Sequence, residues 1–572
     1  MKAKLNTDFL PQKRVFGSSR GPLHLGSIGV CNSPFIFGRA RDTNMPENQG
    51  VWWLYVLRRS VGIADLWRLM IWIALRPGSL LGFLVWLGLG VLSPAVAEQT
   101  TGCSPALVQR TPTGFLSLAG AEEPAAYNVL VLFTDDQRAD TIAALGNPVI
   151  QTPNLDRLVR SGLAFDCAYM QGGMHGATCI PSRAMLLTGK GLFRVDEKLL
   201  TEDTWPAAFQ RAGYTTFMTG KWHNGAKSLP RVFAQARSVF LGGMHHPLEA
   251  PLCDLVEGKL TKPAPASQHA CQVFADQAIR FLQEHRQGPF FCYVAFNGPH
   301  DPHIVPEDFA VRYDPEKIPL PPNFLPQHPF DNGEMTVRDE CLLPWPRRPE
   351  QIRQMLAEYY RYISYIDQQI GRILDALADS PHRDRTIVIF AADSGVARGS
   401  HGLIGKQNLY EHSIRVPLIM AGPGIPAGRR TQAFCYLYDV LPTVGRLCGV
   451  RPPQGSEGLD LTGVLKEPTQ PGRAELVFAY RNLQRAIRQG QWKLIRYPQV
   501  DRTQLFDLQT DPYETTNLAD RPEHAQTLAR LSRRLHDWMR SVGDGTPWTV
   551  PHPKPADWTP PAPKHSATGS PP

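Results

Sequence analysis

Residues 127–141 read YNVLVLFTDDQRADT. Asn128–Phe133 is an unbroken apolar run rich in Val and Leu, the pattern of a strand buried on both faces of a parallel sheet. It ends in Thr134-Asp135-Asp136. Two adjacent carboxylates at the end of a buried strand lie where open α/β sheets bind their ligands. Downstream the pattern alternates. A helix is predicted over 154–161, with Asn154 as its cap and Gly162 as its stop, and another over 202–212 before a strand at 214–218. A helix over 268–286 leads into the apolar run 289–296. A long amphipathic helix over 350–378 precedes RTIVIFAAD at 385–393, again closing on an acid, and VPLIMAGPG follows at 416–424. Strands alternating with helices predict an α/β fold: a large, mostly parallel sheet covered by helices on both faces.

The whole chain has 572 residues, 42% hydrophobic and 20% charged, with 52 prolines and a formal net charge of +8. That excess is mild. No Lys/Arg block or aromatic-basic alternation supports nucleic-acid binding. Leu80–Leu92 is an uncharged apolar run of thirteen residues, short of the roughly 20 that span a bilayer. Arg68 and Arg76 precede it, and Ala95-Val96-Ala97 follows as an A-x-A cleavage site. Residues 1–97 are read as an N-terminal extension and signal peptide, with Met70 as the expected true start. The chain is then exported, periplasmic or extracellular; a retained membrane anchor is the alternative. Residues 98–126 form a linker, 127–470 a catalytic domain, 471–545 a small C-terminal α+β subdomain, and the Pro-rich 546–572 a disordered tail.

CIPSRAMLLTGK at 179–190 carries the chemistry. On its own, Cys179 is a buried thiol, half of a disulfide or a reactive centre. The chain has ten cysteines, nine after the expected cleavage, and no CxxC or zinc spacing. Cys253 and Cys271 flank a polar loop and are candidates to pair. An odd total leaves one cysteine with a separate task. Pro181 suits the first turn of a helix, whose free N–H groups favour an anion. Arg183 adds a permanent fork of donors suited to a tetrahedral oxyanion, and Ser182 a hydroxyl.

The string C-x-P-S-R-x-x-x-x-T-G over 179–189 resembles the signature of the formylglycine-dependent sulfatases of the alkaline phosphatase superfamily, and the likeness runs over roughly 127–545. In that family the cysteine is oxidised to formylglycine by a maturation enzyme, which the resemblance implies for Cys179. TDDQRAD resembles the first metal segment, implying Asp135 and Asp136 as ligands beside residue 179. GKWHNG (220–225) implies Lys221 and His223, and NGPHDPH (297–303) implies His300. AADSGVARGSHGLIGKQNLYEH (391–412) resembles the second metal segment, implying Asp393 and Lys406. LFDLQTDPYETTNLAD (505–520) resembles the closing segment. The family has Asn or His after the metal-binding Asp. Here Ser394 fills that slot, a shorter and weaker ligand. The implied ion is Ca²⁺, with Mg²⁺ also suited to such oxygens.

The implied reaction is hydrolysis of a sulfate monoester, a sulfated carbohydrate or small organic sulfate, with Cys179, Arg183, Lys221, His223, His300 and Lys406 as catalytic residues. GSHGLIGK lies nearest to choline sulfatase and iduronate 2-sulfatase patterns. His303, Arg398, His401, Asn408 and Arg481 are candidate pocket residues by their position near the motifs. Two other readings stay open: a phosphonate or phosphate ester hydrolase of the same superfamily, and a non-catalytic glycan-binding protein, the latter motivated by Ser394.

Overall fold

The computed structural model describes residues 126–561. The N-terminal extension, the signal peptide, nearly all of the linker and residues 562–572 lie outside them. The main sheet contains β1 (Asn128–Thr134), β2 (Gly162–Phe165), β3 (Thr215–Lys221), β4 (Gln235–Phe240), β5 (Phe290–Ala295), β6 (Thr386–Ala392) and β7 (Leu418–Ala421). Its centre runs β6-β1-β5-β3-β4, all parallel. The flanks bring in antiparallel pairs: β7 pairs with both β6 and β2, and Pro251–Val256 with β4, while Arg429–Thr431 closes one edge parallel to β2.

Helices cover both faces, as continuous apolar strands require. Successive β1 side chains go to opposite sides. Val129, Val131 and Phe133 join one core, with α2 (Cys179–Thr188) and α3 (Trp205–Arg211). Leu130 and Leu132 join the other, with α1 (Pro153–Ser161), α4 (Ala270–Glu284) and α5 (Pro349–Ala378). α1 starts at Pro153, so Asn154 lies inside the helix rather than capping it. Its amide donates to Asp367 of α5 at 2.9 Å. The Cys253–Cys271 pairing expected as possible does not form. The two sit in cores on opposite faces of the sheet, and Cys271 Sγ points to Asn297 Oδ1 at 3.4 Å. All eight cysteines among the described residues are free thiols.

The C-terminal part is an antiparallel sheet, β8 (Leu476–Tyr480), β9 (Gln484–Gln489), β10 (Trp492–Tyr497) and β11 (Arg502–Asp507). α6 (Ala525–Val542) lays Leu531, Leu535 and Met539 on Ile487, Leu494 and Leu505. This unit is not separate in sequence. Gly172–Gly173, just before α2, adds to β8 as a parallel strand. A Cβ on Gly172 would come within 1.9 Å of the Ala479 carbonyl oxygen, so only glycine permits the approach.

The disordered tail expected from 546 is corrected over 546–561. Val550 and Lys554 donate backbone bonds to Pro498 and Gln499, and Trp558 packs edge-on against Trp345. The proline content concealed two tryptophans, Trp548 and Trp558, whose partial burial helps offset the ordering entropy. Among the described residues, no helix is long and apolar enough to cross a membrane.

Three buried histidines are held neutral by desolvation: His269 and His328 are pushed down to about 4 and His401 to about 3. Their folded values lie below the ordinary 6.5. The stability they contribute is therefore complete above pH 6.5 and is lost as pH falls toward 4, at about 1.4 kcal/mol per pH unit for each. Urea unfolding at pH 7, 6 and 5 is expected to show a stability that declines below 6.5, with a shallower decline in His328→Gln.

Candidate active site

Four adjacent strands of the parallel sheet, β6-β1-β5-β3, deliver chemistry at their C-terminal ends. β1 leads into Asp135-Asp136, β6 into Asp393-Ser394, β5 toward His300, and β3 ends on Lys221 with His223 two residues on. The N-terminus of α2 brings Cys179 to the same edge. Backbone bonds lock the register there: the Asp135 N–H donates to the Gly298 carbonyl at 3.0 Å and the Asp393 N–H to that of Thr134 at 3.1 Å. Asp136 and His223 both have a φ of 63°, a left-handed conformation that side chains rarely adopt and that clusters at functional sites.

Cys179 is the first residue of α2 and is 2% exposed. Its Sγ lies 3.2 Å from His223 Nδ1 and 3.8 Å from Lys221 Nζ. Lys221 pairs with Asp135 Oδ2. Lys406 Nζ reaches both Asp136 oxygens, at 2.6 and 2.7 Å. His300 Nε2 stands 3.6 Å from Asp136 Oδ2, and its Nδ1 is 2.9 Å from the Asp301 carbonyl. Every residue that the motifs implied for the reaction is thus at one locus.

Two of them stand differently from expectation. Arg183 was expected to face an oxyanion. It is fully buried, and its Nε and Nη2 meet Asp393 Oδ2 at 3.0 and 2.8 Å while Nη1 donates to the Lys221 carbonyl at 3.1 Å. It clamps the acid set together. With Ser182, whose hydroxyl donates to the Asp393 carbonyl at 2.7 Å, it ties α2 to the end of β6. The Ser394 hydroxyl donates to Asp136 Oδ1 at 2.8 Å.

The electrostatics follow from burial. The Asp136 carboxyl would rise on desolvation, but the Lys406 and His300 charges hold it well below the usual carboxylate range. Asp393 is pushed up to about 6 by desolvation and then by the Asp135 charge beside it. Burial raises the Cys179 thiol. Desolvation, then the Lys221 charge, drives His223 down to about 2, so its imidazole is neutral. Gly243 presses on that ring; a Cβ there would lie 2.7 Å from Nε2.

These groups also fit a hard divalent cation. Asp135, Asp136 and Asp393 offer carboxylate oxygens, and donor atoms from Asp135, Cys179 and Asp393 lie within 4.8 Å of one another. Asp135 Oδ1 is buried with no hydrogen-bond partner, a position that a cation would satisfy. Three carboxylates are matched by Arg183, Lys221 and Lys406. A divalent ion would leave net positive charge facing a bound anion.

Of the candidate pocket residues, His303 and Arg398 lie beside this locus, 3.1 Å apart. His401 does not line it: the ring stacks on Tyr410 at 3.9 Å in the interior. Asn408 is buried and accepts the Tyr410 N–H, and Arg481 is spent on Glu334. Sequence reasoning passed over Asp301, which pairs with Arg338 and touches His300. Its signal was an acid directly following a motif histidine. Arg338 lies in no motif and carried none.

The family profile described as Sulfatase matches residues 127–450, more than half of the chain, and one described as N-sulphoglucosamine sulphohydrolase, C-terminal, matches 399–541. An N-acetylglucosamine-6-O-sulfatase of Bacteroides thetaiotaomicron is 27% identical, over 76% of this chain and 91% of its own. An ulvan-active sulfatase of Formosa agariphila is 29% identical over 74% and 83%, and a choline-sulfatase of Rhizobium meliloti 28% over 71% and 85%. A solved structure in complex with D-glucosamine-2-N,6-O-disulfate aligns with a TM-score of 0.60 at 23% identity, over 74% of this chain and 100% of that one. A phosphonate monoester hydrolase of Agrobacterium radiobacter aligns at 0.58 and 21%, over 73% and 96%, so fold alone does not choose the reaction. The family match does: this chain belongs to the sulfatase family and is a sulfuric ester hydrolase.

Proposed function

We propose that the protein hydrolyses a sulfate monoester of a carbohydrate, using formylglycine formed from Cys179 and a Ca²⁺ ion held by Asp135, Asp136 and Asp393. The observation that carries this is the seat of Cys179: a buried helix-start residue flanked by a neutral histidine and a lysine, over three gathered carboxylates. The sulfated sugars named for the relatives and the aligned structure support the substrate class. Export rests on the signal pattern ending at Ala97.

When present, the cation polarises the sulfate and the hydrated aldehyde supplies an oxygen nucleophile. The chain's own residues do the rest. Lys221 and Lys406 place fixed positive charge around the anion, where a buried site makes each charge count for more than in water. His223 Nδ1 lies 3.2 Å from residue 179 on a neutral ring, and the tautomer with its proton on Nε2 is the base for that residue. His300 Nδ1 lies 2.9 Å from the Asp301 carbonyl, and its Nε2 stands 3.6 Å from Asp136 Oδ2, beyond hydrogen-bond distance. His300 and Lys406, both beside Asp136, are the two candidates to give a proton to the departing alcohol. Arg183, fully buried, positions Asp393. Since Cys179 is 2% exposed, the maturation enzyme must act before the chain closes over it.

Cys179→Ala is expected to fold normally and to lose on the order of 10³-fold or more in kcat. Peptide mass spectrometry of protein from a host that has the maturation enzyme is expected to find the aldehyde at 179. Retention of the thiol in such protein, or full activity in Cys179→Ala, contradicts the mechanism. Assaying sulfate and phosphonate monoesters on one preparation separates the two chemistries that share this fold.

Adding Ca²⁺ to chelated protein is expected to raise the melting temperature, the stabilisation reaching about 2.7 kcal/mol at a free ion concentration of 100 Kd. Asp135→Asn is expected to abolish the shift. A shift that persists in this variant places the ion elsewhere.

A further inference from the structure

Beside His300 the surface opens into a cavity of about 1100 Å³. Asp301, Pro302, His303 and Ile304 carry its wall directly on from the reaction centre. Met244, Leu342, Leu343 and Met355 make an apolar side. Arg398 lies in the lining with its side chain only 2% exposed, and it is under-satisfied. Its Nε has no partner, and its Nη1 meets only the Met355 sulfur, at 3.8 Å. Its Nη2 donates to His303 Nε2 at 3.1 Å. Because guanidinium only donates, His303 must accept there. The Asp301 carboxylate stands 3.9 Å away and is already committed to Arg338. The Tyr359 ring lies 5.6 Å beneath the guanidinium.

A buried permanent cation whose one carboxylate neighbour stands 3.9 Å off and is shared with Arg338 is only partly compensated, and burying it is costly. No step of the hydrolysis uses it. An anion entering the cavity would supply the missing acceptor. Farther along the lining Glu350 and Glu358, two helical turns apart on α5, are exposed; Glu350 pairs with Arg348 at 3.1 Å and the half-exposed Arg338 with Asp301, so Glu358 is the acid there without an ion-pair partner among the described residues. A short ligand with one acidic group toward Arg398 fits this gradient, and a long polyanion meets like charge at the exit.

Resting on the sulfatase reading, we propose that this cavity receives the alcohol part of the substrate and that Arg398 selects sulfate esters of mono- or short oligosaccharides bearing a second anionic group, a carboxylate or another sulfate. Arg398 is then a specificity residue, with His303 fixing its orientation.

The test compares kcat/KM for a neutral sugar monosulfate, a sulfated uronate and a sugar disulfate. The wild type is expected to prefer an anion-bearing ester. Arg398→Gln is expected to cut that preference on the order of 10²-fold, mainly through KM. Whichever of the two anionic esters loses more identifies carboxylate or sulfate. Equal losses on all three esters, or none, overturn the proposal. Glu358→Lys changes an exposed residue and guards against a misfolded Arg398 variant. It is expected to raise turnover of highly sulfated oligosaccharides relative to monosaccharides several-fold, and an unchanged ratio overturns the charge gradient. If matured protein turns over no sulfate ester, the sulfatase reading fails by itself. The subsite is then judged by calorimetric titration of an unsulfated uronic acid. Binding by wild type and not by Arg398→Gln supports it, and identical behaviour of the two overturns it.

Discussion

Asp135, Asp136 and Asp393 are buried side by side, and ionised carboxylates lose several kcal/mol each on leaving water. The fold tolerates them because Lys221, Lys406 and Arg183 are buried against them, one cation to each acid. Much of the architecture serves this balance. Parallel strands place their C-terminal ends on one edge, so groups far apart in the chain converge there. α2 contributes Arg183 from its second turn and Cys179 from its first, so the clamp and the reactive residue are set by one rigid element.

The D-S-G departure reads differently in this light. Ser394 remains bound to the acid set, since its hydroxyl donates to Asp136. What Ser394 supplies is orientation of Asp136, together with Lys406. The gathering of the acids is intact.

The second sheet belongs to the same machine. Gly172–Gly173 adds to β8, so the loop entering α2 is stitched into the C-terminal sheet by backbone bonds. Residues 546–561 then run back over that region, with Trp558 against Trp345 and its carbonyl accepting from Gln327. A subdomain boundary near 470 marks a change of composition, and contacts cross it freely.

The sequence alone determined what is local. An apolar run that stops on an acid says both that a strand is buried and where its functional end lies, as at Phe133–Asp135 and Ala392–Asp393. The signature from Cys179 to Gly189 singled out the residue proposed to react, because its spacing within one helix is itself a short-range fact. Tertiary structure decided what depends on direction in space. It turned Arg183 inward to Asp393, buried His401 against Tyr410, and set Cys253 and Cys271 on opposite faces of the sheet. It also brought Arg338 to Asp301 and Arg398 to His303, partners separated by tens of residues. Periodicity reports which face of an element is apolar. Whether a charged side chain finds a partner or is left facing a cavity depends on elements distant in the chain, and only packing brings those together.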